Sequence, residues 1–125
     1  MARAEVLFCG NSLYLDSLAA GLRTGGRIRV SRSESSNFPI TEELRMLHPD
    51  GVIFELEHHP FELLVADFIT SLPLTRFIGI HPDGETMTVY SATGNRLVPV
   101  AELEGVILET AEESGNDSLL NNISK

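Results

Sequence analysis

Residues 48–59 have the sequence HPDGVIFELEHH, in which a turn precedes a short apolar run and charged residues follow it. The run from Val52 to Phe54, with Leu56 beyond it, is too short for a helix and is typical of a strand buried on both faces. Glu55 interrupts the run where the strand should end. In open parallel sheets, ligands usually bind in the crevice beyond the carboxyl ends of the strands, so Glu55 is predicted to lie at a functional edge.

The composition indicates one domain with a single core, because the chain has 125 residues and is 42% hydrophobic. We assign residues 1–110 to an α/β domain and residues 111–125 to a polar C-terminal tail. No stretch approaches the roughly 20 consecutive apolar residues of a membrane span, and the first residues lack the apolar segment of a signal peptide. We therefore expect a cytoplasmic protein that does not bind membranes. The single cysteine, Cys9, excludes an intramolecular disulfide and is predicted to be a buried thiol.

The charge of the chain argues against a nucleic-acid partner. The net charge is -9, whereas binding to phosphates depends on clustered lysine and arginine. The most closely spaced arginines are Arg23, Arg27, Arg29 and Arg32. They belong to the end of a predicted helix and to a predicted strand, so we expect their side chains on different faces, which predicts a solvated rim.

Apolar periodicity elsewhere predicts strands that alternate with helices. The first helix, capped by Asn11 or Ser12, should bury one face. That face comprises Leu15, Leu18, Ala19 and Leu22. Predicted strands lie at 5–9, 27–31, 52–56 and 76–80, and helices at 41–48, 60–72 and around 103–107. This alternation implies βαβ units and a mostly parallel sheet. Two further strands, 86–91 and 96–100, are predicted around a turn at 92–95, where a regular doubly wound fold would place a helix.

The segment from Pro49 to Leu56 resembles the third-strand motif of receiver domains from two-component response regulators. Glu55 occupies the position of the family's phosphoacceptor aspartate. The resemblance spans residues 5–81 and resumes at the final helix. It implies a flavodoxin-like, three-layer sandwich with sheet order 2-1-3-4-5, in which a β-hairpin replaces the fourth helix.

The receiver family's active site is degenerate in this chain. The family uses an acidic pair for magnesium, an acceptor aspartate, a Thr or Ser after the fourth strand and a lysine after the fifth; the cations neutralise the phosphoryl group. Here Gly10 and Asn11 replace the acidic pair and His81 replaces the Thr or Ser. The acceptor is Glu55, and Lys125, in the tail, is the chain's sole lysine. The resemblance thus implies a non-enzymatic pseudo-receiver without a cofactor, which contacts a kinase, regulator or output protein independently of phosphorylation.

Histidines and carboxylates near the same edge give an alternative interpretation, a sensor of a metal or small ligand. The candidate ligating residues are Glu55, Glu57, His58, His59 and His81. Imidazole and carboxylate suit zinc and other transition metals. However, adjacent histidines diverge on an extended chain and their spacing matches no metal motif, so a surface loop is the ordinary explanation.

Exposed apolar residues would mark a partner surface. Tyr14, Tyr90 and the pair at 119–120 are candidates. The edge of the predicted hairpin could also carry a homodimer contact, unless its polar side chains and Pro99 prevent pairing.

Overall fold

The computed structural model describes residues 4–10, 12–33, 44, 46–56, 69–72 and 74–109. The elements follow the order β1 (Ala4–Cys9), α1 (Leu13–Thr24), β2 (Ile28–Ser33), β3 (Gly51–Glu55), β4 (Arg76–Ile80), β5 (Thr86–Ser91) and β6 (Gly94–Pro99). A 3₁₀ turn, Val100–Glu102, leads into helical residues 103–109. Residues 44, 46, 47 and 69–71 are also helical, in the regions where helices were predicted. Within the described residues, no helix has the length and apolar composition needed to cross a membrane.

The sheet has six strands in the order β2-β1-β3-β4-β5-β6. The first four are mutually parallel, whereas β5 and β6 pair antiparallel. The predicted α/β class and the order of the first four strands are therefore confirmed. The hairpin follows β4 in the chain, where a regular doubly wound fold would place a helix, as predicted. Both of its strands extend the sheet, however, so the sheet has six strands rather than the five of the predicted order 2-1-3-4-5. Residues 81–85 between β4 and β5 are too few for a parallel crossover, so the chain reverses and pairs antiparallel.

The hairpin turn is shorter than predicted. Ser91 pairs with Gly94, so the turn is Ala92–Thr93 and β6 begins two residues before the expected Arg96. Gly94 has φ 137°, a backbone conformation that a side chain would strain. The Ser91 hydroxyl donates to the Gly94 carbonyl oxygen at 3.0 Å and closes the turn.

The outer strand β6 explains how a proline is tolerated in this sheet. The Val100 amide donates to the Glu85 carbonyl oxygen at 2.8 Å. Because amide directions alternate along a strand, the position of Pro99 faces the open edge, where its missing N–H breaks no hydrogen bond of the ladder. The homodimer contact through this edge stays a prediction.

Helix α1 begins and ends at the residues that the sequence indicates. The Ser12 hydroxyl accepts a hydrogen bond from the Leu15 amide at 3.1 Å, which selects Ser12 as the cap. The helix ends at Gly25, and Gly26 has φ 71°. Three of the four predicted apolar residues of α1 are fully buried, and Leu18 packs half-buried beside them.

Apolar clusters cover both faces of the sheet. The face that carries α1 and residues 103–109 buries Ile53. The opposite face buries Leu7, Cys9, Leu44, Val52, Phe54, Phe77 and Tyr90. Strand β3 thus contributes alternate residues to two cores, as its uninterrupted apolar run predicts. Each fully buried large side chain contributes roughly 1.5–3 kcal/mol. Most of the helix predicted at 60–72, including its apolar residues Phe61, Leu64, Val65 and Phe68, lies outside the described residues.

Candidate functional site

The carboxyl ends of β1, β3 and β4 lie at one edge of the sheet. Gly10 follows β1, Glu55 ends β3 and His81 follows β4. The register pairs Glu55 with Ile80, which brings Glu55 beside the turn that begins at His81. A cavity of about 360 Å³ opens here, lined by Tyr14, Glu55 and residues 80–84. Glu55 and His81 are therefore brought together, as the sequence predicts.

The turn at residues 81–84 is held by its own hydrogen bonds. The Gly84 amide donates to the His81 carbonyl oxygen at 2.9 Å, and Gly84 has φ 70°. Asp83 Oδ1 accepts from the amides of Glu85 at 2.8 Å and Thr86 at 3.0 Å. These two N–H donors hold the pKa of the Asp83 carboxyl below its usual value, with smaller contributions from the Thr86 hydroxyl and from His81. Asp83 therefore remains charged at neutral pH.

Tyr14 connects the first turn of α1 to this loop. Its hydroxyl donates to the Gly84 carbonyl oxygen at 2.6 Å across 70 residues of sequence. Burial raises the pKa of the Tyr14 phenol, and the nearby carboxylates of Asp83 and Glu55 raise it further. The phenol is thus neutral at physiological pH and experiences a negative potential.

His81 is oriented by the neighbouring antiparallel strand. Its Nε2 atom lies 2.7 Å from the hydroxyl oxygen of Thr88 on β5. The sequence predicts His81 at the end of β4, but only the unexpected antiparallel pairing of β4 with β5 supplies this partner.

Arg32 is a residue of this edge that sequence reasoning missed. The predicted solvated rim is wrong for Arg32, because its side chain is only 22% exposed. It forms an ion pair with Asp16 and donates from Nη2 to the Gly10 carbonyl oxygen at 2.6 Å. The sequence signal consists of two separated residues, Asp16 in the first turn of α1 and Arg32 near the end of β2. Their meeting depends on the βαβ crossover.

Some of the predicted site residues lie outside the described residues. They are three candidate ligating residues, Glu57, His58 and His59, and Asn11 of the predicted degenerate acidic-pair position. Within the described part of the chain, no group of three or more His, Cys, Asp or Glu side chains is arranged to hold a metal ion.

The predicted partner surface is partly wrong. Tyr90 is buried and stacks on Phe54 with ring centroids 6.4 Å apart, because β5 lies inside the sheet rather than at its rim. Tyr14 is half-buried, and residues 119–120 lie outside the described residues. The large apolar side chains that are strongly exposed are Leu13, Met46, Leu74 and Leu97.

Comparisons with known proteins add a distant likeness in structure. No protein-family model matches the chain, and no curated protein matches it. A substituted variant of HypX from Aquifex aeolicus is similar in structure, with a TM-score of 0.47 and 17% sequence identity. The match covers 93% of this chain and 27% of the HypX chain, so this chain spans about a quarter of the length of HypX. The fold and site define an α/β domain with a mixed six-stranded sheet and a cavity at its carboxyl edge that is lined by two carboxylates, a tyrosine and a histidine.

Proposed function

We propose that this chain is a cytoplasmic, flavodoxin-like pseudo-receiver, a non-catalytic signalling or scaffold module that contacts another protein independently of phosphorylation. Its partner in this proposal is a kinase, a regulator or an output protein of a two-component pathway. The observation that carries the proposal is the surroundings of Glu55. The cavity at this carboxylate is lined in the described structure by Tyr14, Asp83 and His81, and by no lysine or arginine.

This arrangement opposes phosphoryl transfer. An enzyme of this kind stabilises the transferred group with metal ions and basic side chains, because charge is spread over the phosphoryl oxygens. Here the phosphoryl group would meet the Asp83 carboxylate, which has a lowered pKa and stays charged. Arg32, a cationic side chain near this edge in the described structure, already forms an ion pair with Asp16 and donates to the Gly10 carbonyl oxygen.

One exposed apolar residue is available to a protein partner at the start of α1. Leu13, the first residue of α1 and the neighbour of Tyr14 in sequence, is 84% exposed. Protein interfaces use exposed apolar area of this kind when it forms part of a larger patch.

Intact mass measurement after incubation with acetyl phosphate and magnesium tests the proposal. We expect no adduct on the natural chain. We also expect none on Glu55→Asp, because restoring the acceptor type does not restore the cations. A receiver domain with an intact site serves as the positive control for the reagent. A stoichiometric phosphoryl adduct on the natural chain would refute the proposal.

A matching experiment tests phosphorylation-independent contact. A partner captured by the natural chain from its source cell should bind equally well with and without acetyl phosphate and magnesium. Binding that requires either reagent would contradict the proposed mode of action.

A second candidate function is a sensor of a small ligand or metal at the same edge. The cavity of about 360 Å³ favours it, since small-molecule sites measure roughly 300–1,000 Å³. Native mass spectrometry and elemental analysis of protein purified without chelators would detect a retained ligand or metal. A protein that retains neither would count against this candidate.

A further inference from the structure

The carboxyl-edge cavity contains a carboxylate that the described structure does not neutralise. Among the described residues, Glu55 forms neither an ion pair nor a side-chain hydrogen bond, although it lines the cavity. Asp16, at the same edge, is paired with Arg32. Asp83 adds a second charge to the cavity, since its bonds are to neutral donors. The cavity therefore carries the negative charge of Glu55 and Asp83, whereas the charge of the neighbouring Asp16 is balanced by Arg32.

The neutral side chains of the cavity are already committed to other partners. The Tyr14 hydroxyl donates its proton to the Gly84 carbonyl oxygen, so the phenol offers Glu55 no donor. His81 Nε2 is engaged with the hydroxyl of Thr88. Tyr14 lines the cavity, and apart from its committed hydroxyl its side chain consists of the aromatic ring.

These features define the chemistry of a complementary ligand. An anion is disfavoured by two carboxylates, and the described residues supply no cluster of three metal-ligating side chains. An ammonium or guanidinium group instead provides charge and N–H donors for Glu55, and guanidinium can bind a carboxylate in bidentate fashion. The Tyr14 ring adds a favourable contact for a cation. The carboxylates of Asp83 and Glu55, which together with burial raise the pKa of the Tyr14 phenol, would also attract a cation.

Overall charge favours a basic protein side chain as the source of that group, and the cavity is large enough to hold one. Its volume of about 360 Å³ accommodates one extended side chain as well as a small molecule. The net charge of -9 attracts a basic protein surface over a longer range. The exposed Leu13 at the start of α1 provides apolar area for the rest of a protein contact.

We infer that this cavity binds the ammonium or guanidinium group of a Lys or Arg side chain from the protein partner, with Glu55, Asp83 and the Tyr14 ring as its contacts. This inference rests on the proposed function, because it identifies the chemistry of the partner at the proposed site.

Backbone amide chemical shifts of the ¹⁵N-labelled full chain test the inference. The probes are N-acetyl-argininamide, its neutral analogue N-acetyl-citrullinamide, and a peptide with one arginine among glycine and serine residues. We expect the cationic probes to shift the amides of residues 80–81 and 83–85 in a saturable way, and the neutral probe to leave them unchanged. Equal shifts with the citrulline compound would overturn the inference.

Charge-neutralising variants locate the contacts. Glu55→Gln and Asp83→Asn should each raise the Kd for the peptide about two- to fivefold, the range for partly exposed ion pairs. Asparagine keeps an acceptor oxygen for the turn at residues 81–84, and a native-like spectrum verifies each fold. The matched control is Glu109→Gln, because Glu109 lines a different cavity with Arg76 at the amino edge. It should leave the Kd unchanged. Unaltered affinity in both site variants would overturn the inference.

The remaining outcomes separate the sources of the cation and the two proposals. Tighter binding of the peptide than of free N-acetyl-argininamide supports a partner side chain. Equal affinity overturns the assignment to a partner and leaves a site for a free organic cation. A phosphoryl adduct after acetyl phosphate treatment refutes the proposed function whatever the titrations show. Failure of cation binding without an adduct refutes this inference alone.

Discussion

Replacing Gly79 by alanine should destabilise the protein, although alanine normally favours folded structure over glycine. Gly79 lies within β4, and a Cβ atom there would be 2.7 Å from Leu56 Cγ and 2.9 Å from both Cδ atoms. Carbon atoms pack favourably at about 3.5–4.0 Å, so three contacts would be too short by about 0.6 Å or more. The Leu56 amide donates to the Ile80 carbonyl oxygen at 2.9 Å, which restrains the backbone from moving away.

The magnitude follows from two opposing effects. Overpacking of this kind costs about 1–3 kcal/mol, and removing the flexibility of a glycine returns about 0.5–1 kcal/mol. We therefore expect Gly79→Ala to lower the free energy of unfolding by about 1–2 kcal/mol. Urea denaturation followed by far-ultraviolet circular dichroism measures this difference, provided that the m value is unchanged.

Gly21→Ala is the matched control for the same chemical change. Gly21 lies inside α1, and a Cβ atom there would meet no heavy atom within 4 Å. This variant should be more stable by about 0.5–1 kcal/mol. The double variant Leu56→Ala with Gly79→Ala should cost less than the sum of the single variants by at least about 0.5 kcal/mol, since the two sites are in contact. A neutral or stabilising Gly79→Ala, or additive costs, would refute the packing of Leu56 over Gly79.

Three further predictions concern hydrogen bonds that fix the edges of the fold. Ser12→Ala removes the acceptor for the Leu15 amide and should lower the free energy of unfolding by about 1 kcal/mol in urea denaturation. Ser12→Asn should retain most of the stability of the natural chain, because asparagine also caps helices. Equal stability of both variants and the natural chain would contradict the cap. Thr75→Val removes a buried hydroxyl that donates to the Pro49 carbonyl oxygen at 2.7 Å, and should cost about 1–3 kcal/mol by the same measurement. A loss below about 0.5 kcal/mol, which is the usual range for surface substitutions, would argue against this bond. Because the pKa of Asp83 is lowered in the folded state, its carboxylate stabilises the fold above the ordinary value of 3.8 and loses this effect as the pH falls through the lowered pKa. The stability difference between the natural chain and Asp83→Asn should therefore shrink in acid denaturation series below that pH, and a constant difference would contradict it.

Much of the local structure could be predicted from residue patterns. The apolar run of β3, the buried face of α1 and the strand Arg76–Ile80 all appear where periodicity indicates. These features depend on neighbours within a few residues, which is why sequence order is sufficient. The turn length of the hairpin was less predictable, because Gly94 serves as the first residue of a strand rather than as part of the loop.

The candidate site was only partly predictable for a different reason. The sequence identified Glu55 and His81 as residues at one edge, and the structure places both on the same cavity. It did not indicate Tyr14 or Asp83 as neighbours of Glu55, nor the pairing of Arg32 with Asp16. No local pattern marks such contacts, because each one joins separate elements.

The sequence by itself determined the α/β class, the central buried strand and the confinement of lysine to Lys125. These properties follow from composition and short-range periodicity. Only the tertiary structure decided that the hairpin extends the sheet, that His81 meets Thr88, and that Glu55 shares a negative cavity with Asp83. Strand pairing and loop contacts bring these groups together across the chain, and their energies depend on three-dimensional register rather than on local sequence.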